Sequence, residues 1–169
     1  MPRLSLHHIS INVGNLADAA TEVAAAVGAG PFFQLPDTRW DRIEAGDGDV
    51  EAQWDHSIAF GYAGETLIEL SVNRALAPSE LERALTGHQV SHLGFSTEDF
   101  PGACEQLIHA GARRILTAEN AAMSISYFVH PLLGTVEIVS ESERSRRMLG
   151  VFREAAQGWD GRDPLRRFP

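Results

Sequence analysis

Residues 6–13 read LHHISINV and residues 90–97 read VSHLGFST. When His8 is aligned with His92, each segment continues with an apolar, a small, an apolar and a polar residue. This alternation with a period of two is typical of a β-strand that has one buried face. Because the pattern occurs twice in the chain, the sequence predicts a fold built from two equivalent halves.

The two halves continue in the same way after the repeated strand. A helical stretch follows in each half and stops at a glycine, which suits the left-handed residue that ends many helices: residues 17–27 before Gly28, and residues 101–110 before Gly111. Two strand-like runs then close each half, at residues 57–62 and 65–72 in the first and at residues 124–129 and 134–140 in the second. Each half therefore reads as a strand, a helix and two or three further strands, which predicts an α+β fold.

These boundaries divide the chain into one domain and a C-terminal extension. The domain is predicted over residues 1–140, with one module at about residues 4–72, a second at about 90–140 and a linker at 73–89. Residues 41–55 are rich in Asp, Glu and Gly, which predicts a long loop within the first module. Residues 141–169 are expected to form an amphipathic helix and a turn-like tail.

Composition and charge exclude several classes of function. The chain has 169 residues, with 14 basic and 23 acidic side chains and a formal net charge of −9. This acidic balance argues against nucleic acid or a membrane surface as partner, because both are polyanions. All the basic residues are Arg, so neither a lysine Schiff base nor a P-loop is possible.

The cysteine content and the apolar runs point to a cytoplasmic protein. The single cysteine, Cys104, excludes internal disulfides and thiolate zinc clusters, and its helical surroundings predict a small core residue. No apolar run approaches the roughly 20 residues that a membrane span requires, and the first residues lack the core of a signal peptide.

Two histidines and two glutamates recur at equivalent places in the halves. His8 and His92 lie on the first strand of each half, and Glu69 and Glu137 lie on the last. A single polar residue on such a strand usually belongs to a solvated face, but a recurring pair favours a shared site. Two imidazoles and two carboxylates form a mixed nitrogen and oxygen set that suits Zn, Ni, Co, Mn or Fe. The neighbouring His7 is predicted to lie on the opposite face and to be structural.

Four motifs of the chain together resemble those of the vicinal oxygen chelate superfamily. They are LHHISINV at residues 6–13, LIEL at residues 67–70, SHLGF at residues 91–95, and HP at 130–131 followed by GTVEI at 134–138. This superfamily includes glyoxalase I, methylmalonyl-CoA epimerase, bleomycin-resistance proteins and extradiol dioxygenases. The resemblance covers about residues 4–140. It implies two tandem βαβββ modules whose sheets curl around a cleft, with one divalent metal ion held by His8, Glu69, His92 and Glu137.

The resemblance also implies a reaction, with alternatives left open. A set of two His and two Glu is similar to the glyoxalase and epimerase branch, which implies a lyase or isomerase that removes a proton next to a carbonyl. Glu137 would act as the base and Glu69 as the second proton carrier. The alternatives are a metal-dependent Fe dioxygenase, whose relatives use two His and one carboxylate, and a non-catalytic small-molecule binding or resistance protein.

The partner is expected to be a small-molecule substrate, and the protein is expected to form a homodimer as many relatives do. Asn12, Tyr127 and His130 are the candidate substrate-binding residues. The aromatic residues fit either a pocket for a hydrophobic or polycyclic substrate or an ordinary core: Trp40, Trp54, Phe60, Tyr62, Tyr127 and Phe128. Arg39, Arg42 and Arg74 are candidate anchors for a coenzyme A ester or a glutathione adduct, or else ordinary surface residues.

Overall fold

The computed structural model describes the backbone of residues 1–46 and 50–168, and the side chains of residues 1–46 and 52–168. The elements in chain order are β1 (Ser5–Asn12), α1 (Leu16–Val27), β2 (Phe32–Gln34), β3 (Arg42–Ala45), β4 (Val50–Glu51), β5 (Gln53–Ala63), β6 (Thr66–Ala77), α2 (Ser79–Thr86), β7 (Val90–Thr97), α3 (Phe100–His109), β8 (Arg113–Asn120), β9 (Met123–His130), β10 (Gly134–Ser140), α4 (Glu143–Ala156) and β11 (Leu165–Arg167).

The strands form one curled sheet that contains two equivalent halves. Their order across the described residues is β11-β2-β5-β6-β1-β7-β10-β9-β8-β3-β4. The run β1-β6-β5-β2 in the first half matches β7-β10-β9-β8 in the second, and the halves join through the antiparallel pair β1 and β7. In each half the first strand runs parallel to the last. The predicted α+β class, with two βαβββ modules curled around a cleft, is confirmed.

Both helices that follow the repeated strands pack on the outer face of the sheet. Asn15 caps α1 by accepting hydrogen bonds from two backbone N–H groups of its first turn, and Gly28 ends the helix with φ of 68°. The apolar face of α1 packs against a cluster that includes Leu70. Helix α3 buries Cys104 beside Phe128. Burial raises the pKa of the Cys104 thiol to about 11, so this cysteine is a core residue, as its helical surroundings predict.

The acidic segment at residues 41–55 differs from the predicted loop. It contains β3, β4 and the first residues of β5, and β3 crosses to the second half to pair with β8. The pairing runs from Arg42 opposite Glu119 to Ala45 opposite Leu116. Residues 47–49 and the side chain of Glu51, one of the acidic residues of the predicted loop, lie outside the described residues. The loop prediction was wrong because β3 and β4 are short and β3 pairs with β8, which is remote in sequence.

The C-terminal segment also takes part in the fold. Strand β6 runs to Ala77, so the first five residues of the predicted linker are strand. Helix α4 begins at a capping box formed by Ser142 and Ser145. The tail is more than a turn, because β11 pairs in parallel with β2. With β3 on β8 and β11 on β2, a further strand covers the outer edge of each half.

The helices of the structure are short. Within the described residues, no helix is long and apolar enough to cross a membrane.

Candidate metal centre

Four adjacent strands carry the four predicted donor residues to one place. In the order β6-β1-β7-β10, they contribute Glu69, His8, His92 and Glu137. The ladders arrange these residues in two rows across the sheet. One row places Ser10 opposite both Glu69 and His92, and the other places Gly94 opposite both His8 and Glu137. Each row therefore consists of a carboxylate, a small residue and an imidazole, as the repeat requires.

The small residues in the middle of the rows leave room for the donors. A Cβ atom at Gly94 would overlap the His8 imidazole, so that ring lies in the space above the glycine. In the other row the Ser10 hydroxyl donates a hydrogen bond to Glu69 Oε1 over 2.7 Å. Ser10 and Gly94 align in the sequence repeat, and both act here by being small.

The donor atoms lie within a few ångströms of one another. His8 Nε2 is 3.0 Å from His92 Nε2. Glu137 Oε2 is 3.2 Å from His8 Nε2 and 3.5 Å from His92 Nε2. The Glu69 carboxylate lies slightly farther, at 3.7 Å from His8 Nε2 and 3.8 Å from His92 Nε2. All four side chains are buried.

This arrangement fits a divalent cation. Two donors each about 2.1 Å from one ion lie about 3.0 to 3.4 Å apart when the angle between their bonds is near 90° or 109°, and the distances among His8, His92 and Glu137 are close to this range. Glu137 Oε2 is buried, with His8 Nε2 and His92 Nε2 as polar neighbours at 3.2 and 3.5 Å. When both imidazoles direct their lone pairs at the cluster, this oxygen has no donor, which is costly unless a cation satisfies it.

The outer nitrogen of each imidazole has its own partner. The Ser91 hydroxyl donates its proton to the carbonyl oxygen of Leu85 over 2.9 Å. Ser91 Oγ can then only accept from His92 Nδ1, which lies 3.1 Å away. This contact places the His92 proton on Nδ1 and leaves the Nε2 lone pair directed at the donor cluster. Such outer contacts orient metal-binding histidines and select their tautomer.

His7 has the same relation to His8, which corrects the sequence prediction. The two Nδ1 atoms are 2.7 Å apart, and His7 lines the same cavity as His8. The β1–β7 register steps from Leu6 opposite Phe95 to His8 opposite Gly94, so His7 is the extra residue of a β-bulge. A bulge breaks the strict alternation of faces, which is why His7 is not on the opposite face. Burial and the neighbouring His8 lower the pKa of His7 to about 4.

Neighbouring charges dominate the titration of His8 and Glu137 in the donor cluster. Burial opposes the charged form of His8, but Glu69 and Glu137 outweigh burial and raise the pKa of His8. Burial likewise opposes ionisation of Glu137, but hydrogen bonding to His8 and His92 and their charge lower its pKa. These directions favour a protonated His8 beside an ionised Glu137 in the metal-free protein, and metal binding would displace that proton.

The cluster lies in the wall of a cavity of about 570 Å³. The first half contributes Trp40, Trp54, His56 and Phe60, and the second contributes Tyr127. Most other lining residues are aliphatic or small. The aliphatic ones are Leu35, Ile58, Leu85, Met123, Ile125, Val139, Met148, Leu149 and Val151, of which the last three belong to α4. The volume is typical of a small-molecule site.

The three candidate substrate-binding residues lie in different places, and one of them lines the cavity. Tyr127 lines the cavity, and burial together with the Glu137 and Glu69 carboxylates raises its pKa well above the ordinary value. Asn12 lies behind the wall, where its Oδ1 accepts a hydrogen bond from Asn73 Nδ2 over 3.4 Å. The structure does not bring His130 to the cavity, because its Nδ1 accepts from the backbone N–H groups of Leu132 and Leu133 in the turn after β9.

Some of the aromatic and arginine candidates lie away from the cavity. Tyr62 packs in the core beside Phe152, and Phe128 packs beneath α3. Arg74 pairs with Asp55 at 2.8 Å and Arg42 pairs with Glu44, both away from the cavity lining.

Sequence reasoning missed Asn73 and the lining residues of α4. No local signal identifies them, because the repeat does not contain them.

Comparisons with known proteins agree with this fold. No protein-family model matches the chain, and no curated protein matches it in sequence. A hypothetical protein from Bacillus halodurans C-125 is 17% identical, with 83% of this chain and 96% of that chain covered and a TM-score of 0.54. Methylmalonyl-CoA epimerase from Mycobacterium tuberculosis is 16% identical, with 84% and 91% covered and a TM-score of 0.51. The chain thus shares the fold of these two proteins.

Proposed function

We propose that this chain is a divalent-metal-dependent lyase or isomerase that removes a proton next to a carbonyl group of a small oxygenated substrate. The observation that carries the proposal is the convergence of two imidazoles and two carboxylates from four adjacent strands. This convergence occurs in the wall of a cavity of about 570 Å³, so a bound small molecule has access to the donors.

In the proposed site, His8, Glu69, His92 and Glu137 hold one ion, which is Zn, Ni, Co, Mn or Fe. When bound, the ion supplies Lewis-acid stabilisation of the negative charge that develops on the substrate oxygens. The residues around the donors then have defined tasks. Ser91 and His7 orient the imidazoles, Ser10 orients Glu69, and the apolar walls exclude water from the reacting carbon.

The two carboxylates have different proposed roles in proton transfer. Glu137 is the proposed base, because its carboxylate lines the cavity beside both imidazoles, where a bound small molecule would meet it. Its lowered pKa keeps it ionised at neutral pH. Glu69 is the proposed second proton carrier, and the Ser10 hydroxyl that donates to it fixes its orientation.

A second candidate function is an Fe(II)-dependent dioxygenase. His8, His92 and Glu137 each offer a donor atom within 4.8 Å of the others, and Glu69 is not part of this group. Two histidines and one carboxylate form the donor set of many non-haem iron oxygenases. On this alternative Glu69 remains beside the site without binding the ion.

Metal content and proton exchange test the proposal together. The purified protein is loaded by dialysis with each of the five ions, and 2-hydroxyacetophenone is incubated with it in deuterated water. We expect about one ion per chain and metal-dependent loss of the proton signal next to the carbonyl. Oxygen consumption with Fe(II) would select the dioxygenase. Bound metal without either reaction would favour a binding protein, and failure to bind any of the ions would contradict the proposal.

A further inference from the structure

The cavity has an aromatic wall beside the donor cluster. Trp54 stacks on His56 with ring centroids 3.9 Å apart and an interplanar angle of 4°. Trp40 lies nearly parallel to Trp54 at 5.8 Å, and Tyr127 meets Trp54 edge to face at 5.6 Å. Tyr127 also contacts the His92 ring, so the aromatic wall reaches the donor cluster without a gap. Planar rings present surfaces that pack best against another planar ring.

One polar group of this wall lacks a partner. The Trp54 indole nitrogen donates to Asn73 Oδ1 over 3.3 Å. The Trp40 indole nitrogen is buried and has no hydrogen-bond partner among the residues that the structure describes. Buried indole N–H groups usually find an acceptor. Because this nitrogen is inaccessible, a carbonyl or phenolic oxygen of a ligand would satisfy it only after the indole ring moves.

The charge of the cavity lining argues against a highly charged ligand. Beyond the donor cluster, the described lining contains two further permanently charged side chains, Arg144 and Arg147 on α4. Arg147 is 72% exposed and pairs with Glu143 at 2.9 Å. His56 does not add charge near neutral pH, because burial lowers its pKa to about 4. A coenzyme A ester would require several cations that this wall lacks.

We propose that the cavity binds an uncharged aromatic carbonyl compound of one or two fused rings. Its ring packs on the wall formed by Trp40, Trp54, His56 and Tyr127. The assignment of the reacting carbonyl to the donor cluster rests on the proposed function. The packing of the ring on the aromatic wall does not, because that wall is present without metal.

Metal-free protein tests the aromatic wall separately from the metal chemistry. The protein is titrated with 2-acetylnaphthalene and with its saturated counterpart 2-acetyldecalin. Binding of each ketone is measured from the indole N–H signals in two-dimensional NMR spectra. The chain has three tryptophans, and Trp159 provides an internal control because its indole nitrogen donates to the carbonyl oxygen of Arg162 away from the cavity. We expect saturable shifts of the Trp40 and Trp54 signals, an unchanged Trp159 signal, and affinity for the aromatic ketone at least about threefold higher than for the saturated one.

A Trp40→Leu variant tests ring packing on the aromatic wall separately from metal binding at the donor cluster. It keeps an apolar side chain but removes the ring and the N–H group, so we expect affinity for 2-acetylnaphthalene to fall about fivefold or more, with metal content unchanged. Equal affinity for both ketones, no shift up to the solubility limit, or equal shifts of all three indole signals would overturn the aromatic assignment. Any of these results would leave the proposed metal chemistry standing, and loss of metal binding alone would leave the aromatic assignment standing.

Discussion

Gly94 lies directly opposite His8 in the β1–β7 ladder, and the His8 imidazole fills the space that a side chain at residue 94 would occupy. The same glycine pairs with Glu137 on its other side. An imidazole and a carboxylate can thus approach each other across three strands because the residue between them has no side chain. The donor cluster depends on this glycine as much as on the donors themselves.

Gly94→Ala should weaken metal binding without unfolding the chain. The added methyl group would displace the His8 ring, and metal sites lose affinity when a ligand is displaced from its orientation. We expect at least a tenfold loss of affinity in a competition titration against a chelator. Gly150→Ala is the matched control, because its added Cβ meets no neighbour within 4 Å. Equal affinities for the two variants would refute the steric account.

His8→Ala and His92→Ala should each abolish stoichiometric metal binding and leave the chain folded. The four buried apolar clusters that support the fold exclude these residues, whereas the donor cluster loses one of its two nitrogen ligands. Metal analysis and circular dichroism of the purified variants provide the measurement. Retention of one ion per chain in either variant would mean that the metal binds elsewhere.

Glu137→Gln should separate binding from proton transfer. The amide oxygen still fits the site and three donors remain, so we expect metal to bind with lower affinity. An amide cannot accept the proton, so deuterium exchange next to the substrate carbonyl should fall by at least about 100-fold. Glu69→Gln is the companion variant. If Glu137→Gln exchanges as fast as the wild type, the base must be another group.

His7→Phe should lower metal affinity by roughly tenfold, because it removes the acceptor beside His8 Nδ1. His7→Gln offers a carbonyl oxygen in its place and should restore much of that affinity. Isothermal titration with Zn would compare the two variants. If the phenylalanine variant binds as tightly as the glutamine variant, the role of His7 is packing rather than hydrogen bonding.

The stability of the metal-free protein should depend on pH through His56. Burial lowers its pKa from 6.5 to about 4 in the native state. The unfolded chain takes up this proton near pH 6.5 while the native chain does not, so the free energy of unfolding falls as the pH drops from about 6.5 to about 4. The difference of about 2.5 pKa units corresponds to about 3 kcal/mol.

Urea unfolding of metal-free wild type and His56→Phe at pH 7 and at pH 4.5 measures this contribution. The phenylalanine keeps a ring against Trp54 but cannot bind a proton. The variant should therefore lose less stability than the wild type over this pH interval. An identical loss in both proteins would show that His56 does not contribute.

The sequence repeat carried more information than any single motif. Aligning His8 with His92 predicted the order of strands and helices in both halves, and the period of two predicted that both imidazoles and both glutamates face one way. These are local properties of the chain that neighbouring residues determine. The structure brings all four side chains to one place because the two halves pair through their first strands.

The features that were missed are non-local. The pairing of β3 with β8 and of β11 with β2 joins segments that are remote in sequence. The bulge at His7 appears only in the register of β1 against β7. The α4 residues line the cavity because α4 packs over β5, and its amphipathic pattern does not say which face of the sheet it covers.

Anomalous diffraction from a crystal of the zinc-loaded protein tests the central claim most directly. The account predicts one strong anomalous peak per chain, with Nε2 of His8, Nε2 of His92 and one oxygen each of Glu69 and Glu137 within about 2.0 to 2.2 Å of it. A position of Glu69 beyond bonding distance would favour the iron-oxygenase donor set. A peak remote from these side chains, or no peak at stoichiometric zinc, would contradict the account.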